Sequence, residues 1–269
     1  MYYIKASDGC KLAVEDINPN GKETILMIHG WPISRKMFEY QVDFLNDYNY
    51  RIITVDIRGF GESETTNEGY SYDQLALDVK SVIDQLNLND ITLLGFSMGG
   101  AIVTHYMAKY HNYKVKKLIL AGAAAPSFTK TVDNPYGATI ESTNRLIKQT
   151  YQDRPQMIAD FGNNVFALNH SNNFRNWFQN ICEQGSGIGT IKTAIPLRDE
   201  NIFHDLKQIK VPTYILHGKL DLICPFGFAK IMKEQIHYSE LIPFEYSGHG
   251  LFYDELDKFN KVLLQILEH

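Results

Sequence analysis

The sequence predicts an α/β protein with a mostly parallel central sheet, flanked by helices and interrupted by a helical cap insertion. Short apolar runs alternate with longer segments of helical periodicity, as expected when helices cross between parallel strands. The apolar runs show no polar alternation, which is typical of strands covered on both faces. This alternation stops after residue 125 and resumes near residue 201, which indicates the insertion.

Five apolar segments are the predicted parallel strands, because they are rich in β-branched and aliphatic residues. They are residues 25–28, 52–55, 91–94, 118–120 and 214–216. Residues 2–5 and 10–17 are predicted to form an antiparallel hairpin, with turn chemistry supplied by Ser7-Asp8-Gly9. Residues 72–86 and 101–110 carry apolar side chains three and four positions apart, which predicts amphipathic helices.

The insertion divides the chain into a predicted core, residues 1–125 and 201–269, and a predicted helical cap, residues 126–200. Three short helices are predicted in the cap, over residues 139–151, 155–168 and 174–183. A helical excursion between two strands suggests a lid over the carboxyl edge of the sheet. The alternative is an independent second domain, although about 70 residues with long polar stretches would form only a small core.

Composition and charge exclude several classes of function. The chain has 269 residues, 44% of them hydrophobic, and a net charge of -5, with lysine and arginine scattered rather than clustered. We therefore expect no nucleic-acid partner. No uncharged apolar run approaches the roughly 20 residues of a membrane helix, and the first residues do not resemble a secretory signal, so we expect no membrane association and a cytoplasmic location. Cys10, Cys182 and Cys224 are odd in number and far apart, which argues against a disulfide framework or a zinc site.

The segment Gly95-Phe96-Ser97-Met98-Gly99 is the strongest functional signal. It matches Gly-x-Ser-x-Gly and lies between a predicted strand and a predicted helix. Its glycines permit a sharp strand-to-helix turn, which raises the Ser97 hydroxyl above the edge of the sheet as a nucleophile. A glycine-rich turn with a capping serine is the alternative interpretation.

A serine nucleophile needs a base and a carboxylate that orients it. Of the late histidines, His217 ends a strand and His237 lies in or at the end of a predicted helix, whereas His249 lies in the flexible turn Ser247-Gly248-His249-Gly250. We therefore predict His249 as the base, with a solvated loop histidine as the alternative. Asp221 follows the strand 214–216 on a loop at the carboxyl edge, so it is the predicted acid. A helix-capping role for Asp221 is its alternative.

The tetrahedral intermediate of acyl transfer needs two donors for its oxyanion. One is predicted to be the backbone N–H of Met98, directly after the nucleophile. The other is predicted to be the backbone N–H of Trp31, in the loop His29-Gly30-Trp31-Pro32 after the strand 25–28. Pro32 has no N–H and cannot donate. Simple loop packing by Trp31 and Pro32 is the alternative.

With these residues placed, the chain resembles the α/β-hydrolase superfamily, and more closely its bacterial branch of cofactor-free haloperoxidases, perhydrolases and arylesterases. The likeness spans nearly the whole chain and is weakest in the cap. It is carried by five blocks: His29-Gly30-Trp31-Pro32, Met37-Phe38-Glu39-Tyr40-Gln41, Asp56-Ile57-Arg58-Gly59-Phe60-Gly61-Glu62-Ser63, Gly95-Phe96-Ser97-Met98-Gly99-Gly100 and His249-Gly250-Leu251-Phe252.

The resemblance implies an α/β-hydrolase fold and a triad of Ser97, Asp221 and His249 that needs no metal and no cofactor. It implies an oxyanion hole from Trp31 and Met98, and it suggests Trp31, Phe128 and Ile223 as substrate-binding residues, with core packing as the alternative for Phe128 and Ile223. In that branch a proline beside the oxyanion tryptophan accompanies peracid formation, and Pro32 stands in that place. The resemblance also leaves assembly into homo-oligomers open.

The predicted function is therefore that of a serine hydrolase, a carboxylesterase or perhydrolase that acts on a small-molecule acyl substrate through an acyl-enzyme. Lactone hydrolysis, amide hydrolysis and C–C bond cleavage by the same triad are the alternatives within the enzyme class. A non-catalytic ligand-binding module on the same scaffold is the alternative outside it.

Overall fold

A computed structural model describes residues 1–269 as eight strands in one sheet, surrounded by ten α-helices. The strands are β1 (Tyr2–Lys5), β2 (Lys11–Ile17), β3 (Thr24–Ile28), β4 (Arg51–Val55), β5 (Ile91–Phe96), β6 (Val115–Ala121), β7 (Thr213–Gly218) and β8 (Ser239–Phe244). Their order across the sheet is β1-β2-β4-β3-β5-β6-β7-β8. All neighbours from β4 to β8 pair in parallel, so their carboxyl ends share one edge.

The first two strands form the predicted antiparallel hairpin, in which Tyr2 pairs with Val14 and Lys5 with Lys11. The strand β2 also pairs antiparallel with β4, and the sheet is therefore mostly rather than wholly parallel. The central strand β5 is buried along its whole length. This agrees with the absence of polar alternation in its sequence, and it fixes the central position of the residues that follow it.

Helices cover both faces of the sheet and connect its strands. They are α1 (Glu39–Asn46), α2 (Tyr72–Gln85), α3 (Met98–Lys109), α4 (Ile140–Val165), α5 (Asn172–Glu183), α6 (Gly187–Asp199), α7 (Phe203–Leu206), α8 (Gly227–Gln235), α9 (Leu251–Asp254) and α10 (Leu256–Glu268), with a 3-10 helix at Arg35–Phe38. None of them is long and apolar enough to cross a membrane. The predicted helices in residues 72–86 and 101–110 are confirmed as α2 and α3, although α3 begins three residues earlier, at Met98.

The helices α4, α5 and α6 lie between β6 and β7, in the segment predicted to be the cap. The backbone of α4 leaves helical geometry at Asp153, two residues before Pro155, where the sequence predicts separate helices. Proline disrupts the preceding turn because it lacks an N–H and its ring clashes with the backbone. The side chain of Asp153 accepts a hydrogen bond from the N–H of Gln156 (3.1 Å), which caps the second half of α4.

The sequence analysis did not predict α6, which carries two glycines in its first turn and Pro196 near its end. Its start is stabilised by Ser186, whose side chain accepts a hydrogen bond from the N–H of Gly189 (2.8 Å). A Cβ at Gly189 would lie 2.5 Å from the carbonyl oxygen of Gly59. The glycine that weakens the local helix signal is therefore required for α6 to approach the core closely.

Candidate active site

Ser97 lies in the turn between β5 and α3, at the carboxyl edge of the sheet. Its backbone angles are φ 53° and ψ -120°, a conformation that residues with a side chain seldom adopt. The turn is held in place from β6, because the N–H of Ser97 donates to the carbonyl of Ala121 (3.0 Å) and its own carbonyl accepts from the N–H of Ala124 (2.9 Å). A strained residue fixed in this way at a strand end is typical of a nucleophile.

The glycines of the motif allow this turn to pack tightly. A Cβ at Gly95 would collide with the carbonyl oxygen of Gly99, and a Cβ at Gly99 would collide with the carbonyl oxygens of Ile28 and His29. The start of α3 therefore lies directly against the carboxyl end of β3. This contact places the loop that follows β3 beside Ser97.

His249 and Asp221, predicted as base and acid, form a hydrogen-bonded pair. His249 Nδ1 lies 2.8 Å from Asp221 Oδ2, and both side chains are fully buried. Since an ionised carboxylate only accepts hydrogen bonds, Nδ1 carries the proton and the lone pair of the neutral imidazole is on Nε2. This Nε2 is buried and has no hydrogen-bond partner.

The ring of His249 packs beside the turn that carries Ser97. Its centroid lies 4.8 Å from that of Phe96, the residue before Ser97. No hydrogen bond joins His249 Nε2 to Ser97 Oγ in this structure; catalytic hydrogen bonds are often long before a substrate binds. The structure thus brings together the three side chains that the sequence analysis selected, with the basic nitrogen free to accept a proton.

Both oxygens of the Asp221 carboxylate accept hydrogen bonds. Oδ1 accepts hydrogen bonds from the N–H groups of Ile223 and Cys224, each 2.8 Å long, while Oδ2 faces His249. Burial raises the pKa of the Asp221 carboxyl, but its interactions with His249 and His217 favour the ionised form and outweigh burial, so the pKa lies below its ordinary value. Asp221 is therefore ionised throughout the neutral range, as an orienting acid must be.

His217 is a contact of Asp221 that the sequence analysis did not identify, since it considered this residue only as a base. It is fully buried at the end of β7, and its Nε2 lies 2.7 Å from the carbonyl oxygen of Cys224 and 3.4 Å from Asp221 Oδ2. A carbonyl oxygen can only accept, so Nε2 is a donor here. His217 therefore supports the loop that carries Asp221 through the carbonyl of Cys224, and it approaches the same carboxylate oxygen as His249.

Asp254 is a second residue that the sequence analysis missed. Its carboxylate accepts hydrogen bonds from the N–H groups of Gly248 (2.8 Å), Ala167 (2.8 Å) and Leu168 (3.2 Å), and it pairs with His170 Nε2 (2.8 Å). One buried side chain thus joins the loop that carries His249 to the segment after α4. No sequence motif marks this role, because it depends on two segments that meet only in the fold.

The predicted oxyanion donors lie on the two sides of this turn. A Cβ at Gly30 would lie 2.7 Å from the Cβ of Ser97, so the loop that carries Trp31 is in contact with Ser97. Met98 is the first residue of α3, where backbone N–H groups lack intrahelical acceptors. Neither the Trp31 nor the Met98 N–H takes part in the backbone hydrogen bonds of the turns and loops. Both are therefore available to a developing oxyanion.

Trp31 also contacts two of the helices between β6 and β7. Its indole Nε1 donates a hydrogen bond to the carbonyl of Thr190 in α6 (2.8 Å), and its ring packs edge-to-face on Phe161 in α4, with centroids 5.8 Å apart. The position of the loop that carries Trp31 thus depends on α4 and α6 as well as on the sheet.

His29 fixes the backbone of the same loop. The N–H of Ile57 donates to His29 Nε2 (2.9 Å), so Nδ1 carries the proton and donates to the carbonyl of Gly30 (2.8 Å). Burial lowers the pKa of His29 to about 4. The neutral ring is therefore the native form, and it holds Gly30 in place next to Trp31.

This lowered pKa predicts a loss of stability in acid. Between about pH 6.5 and 4 the unfolded chain protonates residue 29 and the folded chain does not, so the free energy of unfolding falls as the pH drops through this range. The loss at pH 4.5 relative to pH 7 is expected to be about 2 to 3 kcal/mol from this residue. Urea unfolding at pH 7 and pH 4.5 gives the difference in the free energy of unfolding between the two pH values. This difference should be smaller in His29→Gln than in the native protein by about 2 to 3 kcal/mol. An equal pH dependence in both proteins would contradict the assignment.

A cavity of about 190 Å³ opens above Ser97. It is lined by Trp31, Ser97, Phe128, Thr143, Leu146, Gln149, Met157, Asp160, Phe161, Asn164, Ala194, Leu197 and Ile223. The three residues predicted to bind substrate, Trp31, Phe128 and Ile223, are all among them. Most of the remaining lining residues belong to α4 and α6, whose contribution the sequence analysis did not specify. No group of three or more histidine, cysteine, aspartate or glutamate side chains is arranged to hold a metal ion.

Residues 23–180 match a family model described as alpha/beta hydrolase fold. The chain therefore belongs to the α/β-hydrolase family, and the predicted fold class is confirmed.

Relatives that match this chain over nearly their whole length indicate which branch of the family it resembles. The chain is 47% identical over 264 residues, 98% of each chain, to the AB hydrolase superfamily protein YisY of Bacillus subtilis (strain 168). An esterase (EaEST) from Exiguobacterium antarcticum superposes with a TM-score of 0.97 at 46% identity, over 100% of this chain and 99% of that chain. A bromoperoxidase from Bacillus anthracis superposes with a TM-score of 0.92 at 32% identity, over 99% of each chain. The predicted resemblance to the haloperoxidase branch is confirmed, and the chain is an enzyme of this superfamily.

Proposed function

We propose that this protein hydrolyses esters of small acyl groups through a covalent acyl-enzyme on Ser97. The observation that carries the proposal is the buried His249–Asp221 pair, whose free Nε2 lies beside the strained serine turn. Ser97 lines a mostly apolar cavity together with Trp31 and Ile223. A base, its orienting acid and a nucleophile at the floor of one cavity are the parts that acyl transfer requires.

In the acylation step, His249 Nε2 takes the proton of Ser97 Oγ as the oxygen attacks the ester carbonyl. The negative charge that develops on the carbonyl oxygen is stabilised by the N–H groups of Trp31 and Met98. The C–O bond to the alcohol then breaks, and His249 returns its proton to the departing oxygen. Asp221 stabilises the transient imidazolium and keeps its ring oriented.

In the deacylation step, water takes the place of the alcohol. His249 removes a proton from the water as it attacks the acyl carbonyl, and the second tetrahedral intermediate collapses when the bond to Ser97 breaks. Ser97 recovers its proton from His249, and the carboxylic acid leaves. The esterase relative with 46% identity supports this chemistry.

Peracid formation is the second candidate function, in which hydrogen peroxide replaces water as the acceptor of the acyl group. It is favoured by the bromoperoxidase relative and by Pro32, which is buried directly after the oxyanion tryptophan. No redox centre is required, because the peroxide oxygen attacks the acyl carbonyl as a nucleophile and the O–O bond stays intact in the peracid. Halide oxidation by the released peracid would then occur outside the site.

A panel of short acyl esters, lactones and amides, each assayed with and without hydrogen peroxide, tests both candidates. We expect ester turnover without peroxide, and peracid in its presence at a level above that of Ser97→Ala. Pro32→Ala should lower the ratio of peracid to carboxylic acid more than it lowers total turnover, since it changes the acceptor step. Turnover of lactones or amides without turnover of esters would contradict the proposed substrate class, and absence of peracid would contradict the second candidate.

A further inference from the structure

The cavity above Ser97 has two chemically different ends. Near the nucleophile its wall is apolar, with Trp31, Phe128 and Ile223. The polar lining residues other than Ser97 all belong to α4, and they are Thr143, Gln149, Asp160 and Asn164. Thr143 is buried, whereas Asp160 and Asn164 are exposed, so these two residues lie at the mouth of the cavity. When the carbonyl of an ester lies at Ser97, the remote end of the ester would lie near one or more of the polar side chains of α4.

Asp160 is the only charged residue among those that line the cavity. Gln149 Nε2 donates to its Oδ2 (2.7 Å) and Gln156 Nε2 donates to its Oδ1 (2.9 Å). These two residues come from opposite sides of the break in α4 at Asp153, and they hold the carboxylate in place. Both donors are neutral amides, and Asp160 forms no salt bridge, so they orient the negative charge without cancelling it.

We propose that Asp160 determines the charge preference of the acyl pocket. Esters whose remote end is neutral or cationic are accepted, whereas esters that carry a carboxylate at that end are disfavoured by repulsion. The inference rests on the proposed ester hydrolysis and adds the class of substrate to it.

The hydrogen bonds from Gln156 and Gln149 lower the pKa of the Asp160 carboxyl, which is therefore ionised at neutral pH. Because this carboxylate is in contact with solvent, its interaction with a substrate charge is partly screened. A charge several ångströms away at such a site changes the rate by about fivefold rather than by orders of magnitude. The same screening makes the preference dependent on salt.

Three p-nitrophenyl esters of similar length test the proposal: hexanoate, the glutarate monoester and the ester of 4-(trimethylammonio)butyrate. They carry a neutral, an anionic and a cationic remote end. The quantity measured is kcat/KM for each ester relative to hexanoate, because this ratio removes effects common to all three. In Asp160→Asn the relative value of the anionic ester should rise about fivefold and that of the cationic ester should fall. In Asp160→Lys the rise for the anionic ester and the fall for the cationic ester should both be larger than in Asp160→Asn.

Glu234→Gln is the matched control, since Glu234 is exposed on α8, away from the cavity, and its substitution changes the net charge equally. We expect no change in the relative values of this variant. Raising the salt from 20 mM to 500 mM should weaken the preference of the native protein and have little effect on Asp160→Asn. Relative values that are the same in the native protein, Asp160→Asn and Asp160→Lys would overturn the proposal. That result would leave the proposed function intact, which fails only if hexanoate itself is not hydrolysed through Ser97.

Discussion

Replacement of Ser97 by alanine is expected to lower kcat for ester hydrolysis by about 10⁴- to 10⁶-fold, because it removes the group that forms the covalent intermediate. The fold should persist, since the Ser97 turn is held by backbone hydrogen bonds to Ala121 and Ala124. The side-chain Oγ of Ser97 forms no hydrogen bond whose loss could weaken the turn. We expect the free energy of unfolding to change by less than about 1 kcal/mol. Steady-state kinetics with a p-nitrophenyl ester and urea unfolding measure the two quantities.

The control for this variant is Ser81→Ala. Ser81 is 9% exposed and Ser97 is 5% exposed, and Ser81 lies on α2, where its hydroxyl bonds only to the carbonyl of Leu77. Its loss should leave kcat unchanged. Retained turnover in Ser97→Ala would mean that the nucleophile is elsewhere in the chain.

The second large effect is expected for Asp221→Asn, which should lower kcat by about 10³- to 10⁴-fold. The asparagine amide matches the shape of the carboxylate, but it can donate to His249 Nδ1 and so shift the ring proton to Nε2. His249 Nε2 would then have no lone pair to accept the hydroxyl proton of Ser97. The KM should change far less than kcat, because Asp221 does not line the cavity.

The pH profile of the native enzyme tests the role of the carboxylate. Since the pKa of Asp221 lies below its ordinary value, the carboxylate stays ionised across the neutral range, and its own protonation is expected to contribute nothing to the pH dependence of kcat/KM there. Asp199→Asn is the matched control, because Asp199 is an exposed carboxylate paired only with Arg198. An Asp221→Asn enzyme with native kcat would show that another group orients the base.

Much of the core and of the candidate site could be predicted from the sequence, because local patterns determine them. The strands around Ile25 and Ile91 are recognisable since they are buried on both faces, and the turn at Ser97 is recognisable since its glycines have few other uses. His249 and Asp221 followed from their places after late strands, because the carboxyl ends of parallel strands converge on one edge.

The rest depends on contacts between segments distant in sequence. The helix α6 was not predicted because Gly189, required by its contact with Gly59, weakens the helix signal. The strand β8 was not among the predicted strands, since it lies at the edge of the sheet, is half-exposed and contains Pro243. The hydrogen bond between Gln149 and Asp160 joins the two parts of α4 across the break at Asp153, and no local sequence pattern indicates it. The cap boundaries, the cytoplasmic location, the partners and homo-oligomer formation stay predictions.

The covalent intermediate provides the most direct test of the account. Rapid mixing with p-nitrophenyl acetate, acid quenching within the first turnover and intact-protein mass spectrometry should show the addition of one acetyl group, and peptide mapping should place it on Ser97. The acetyl group should be absent from Ser97→Ala and should decay at the rate of steady-state turnover. Hydrolysis that proceeds at the native rate without an acetylated protein, or with the acetyl group on another residue, would contradict the account.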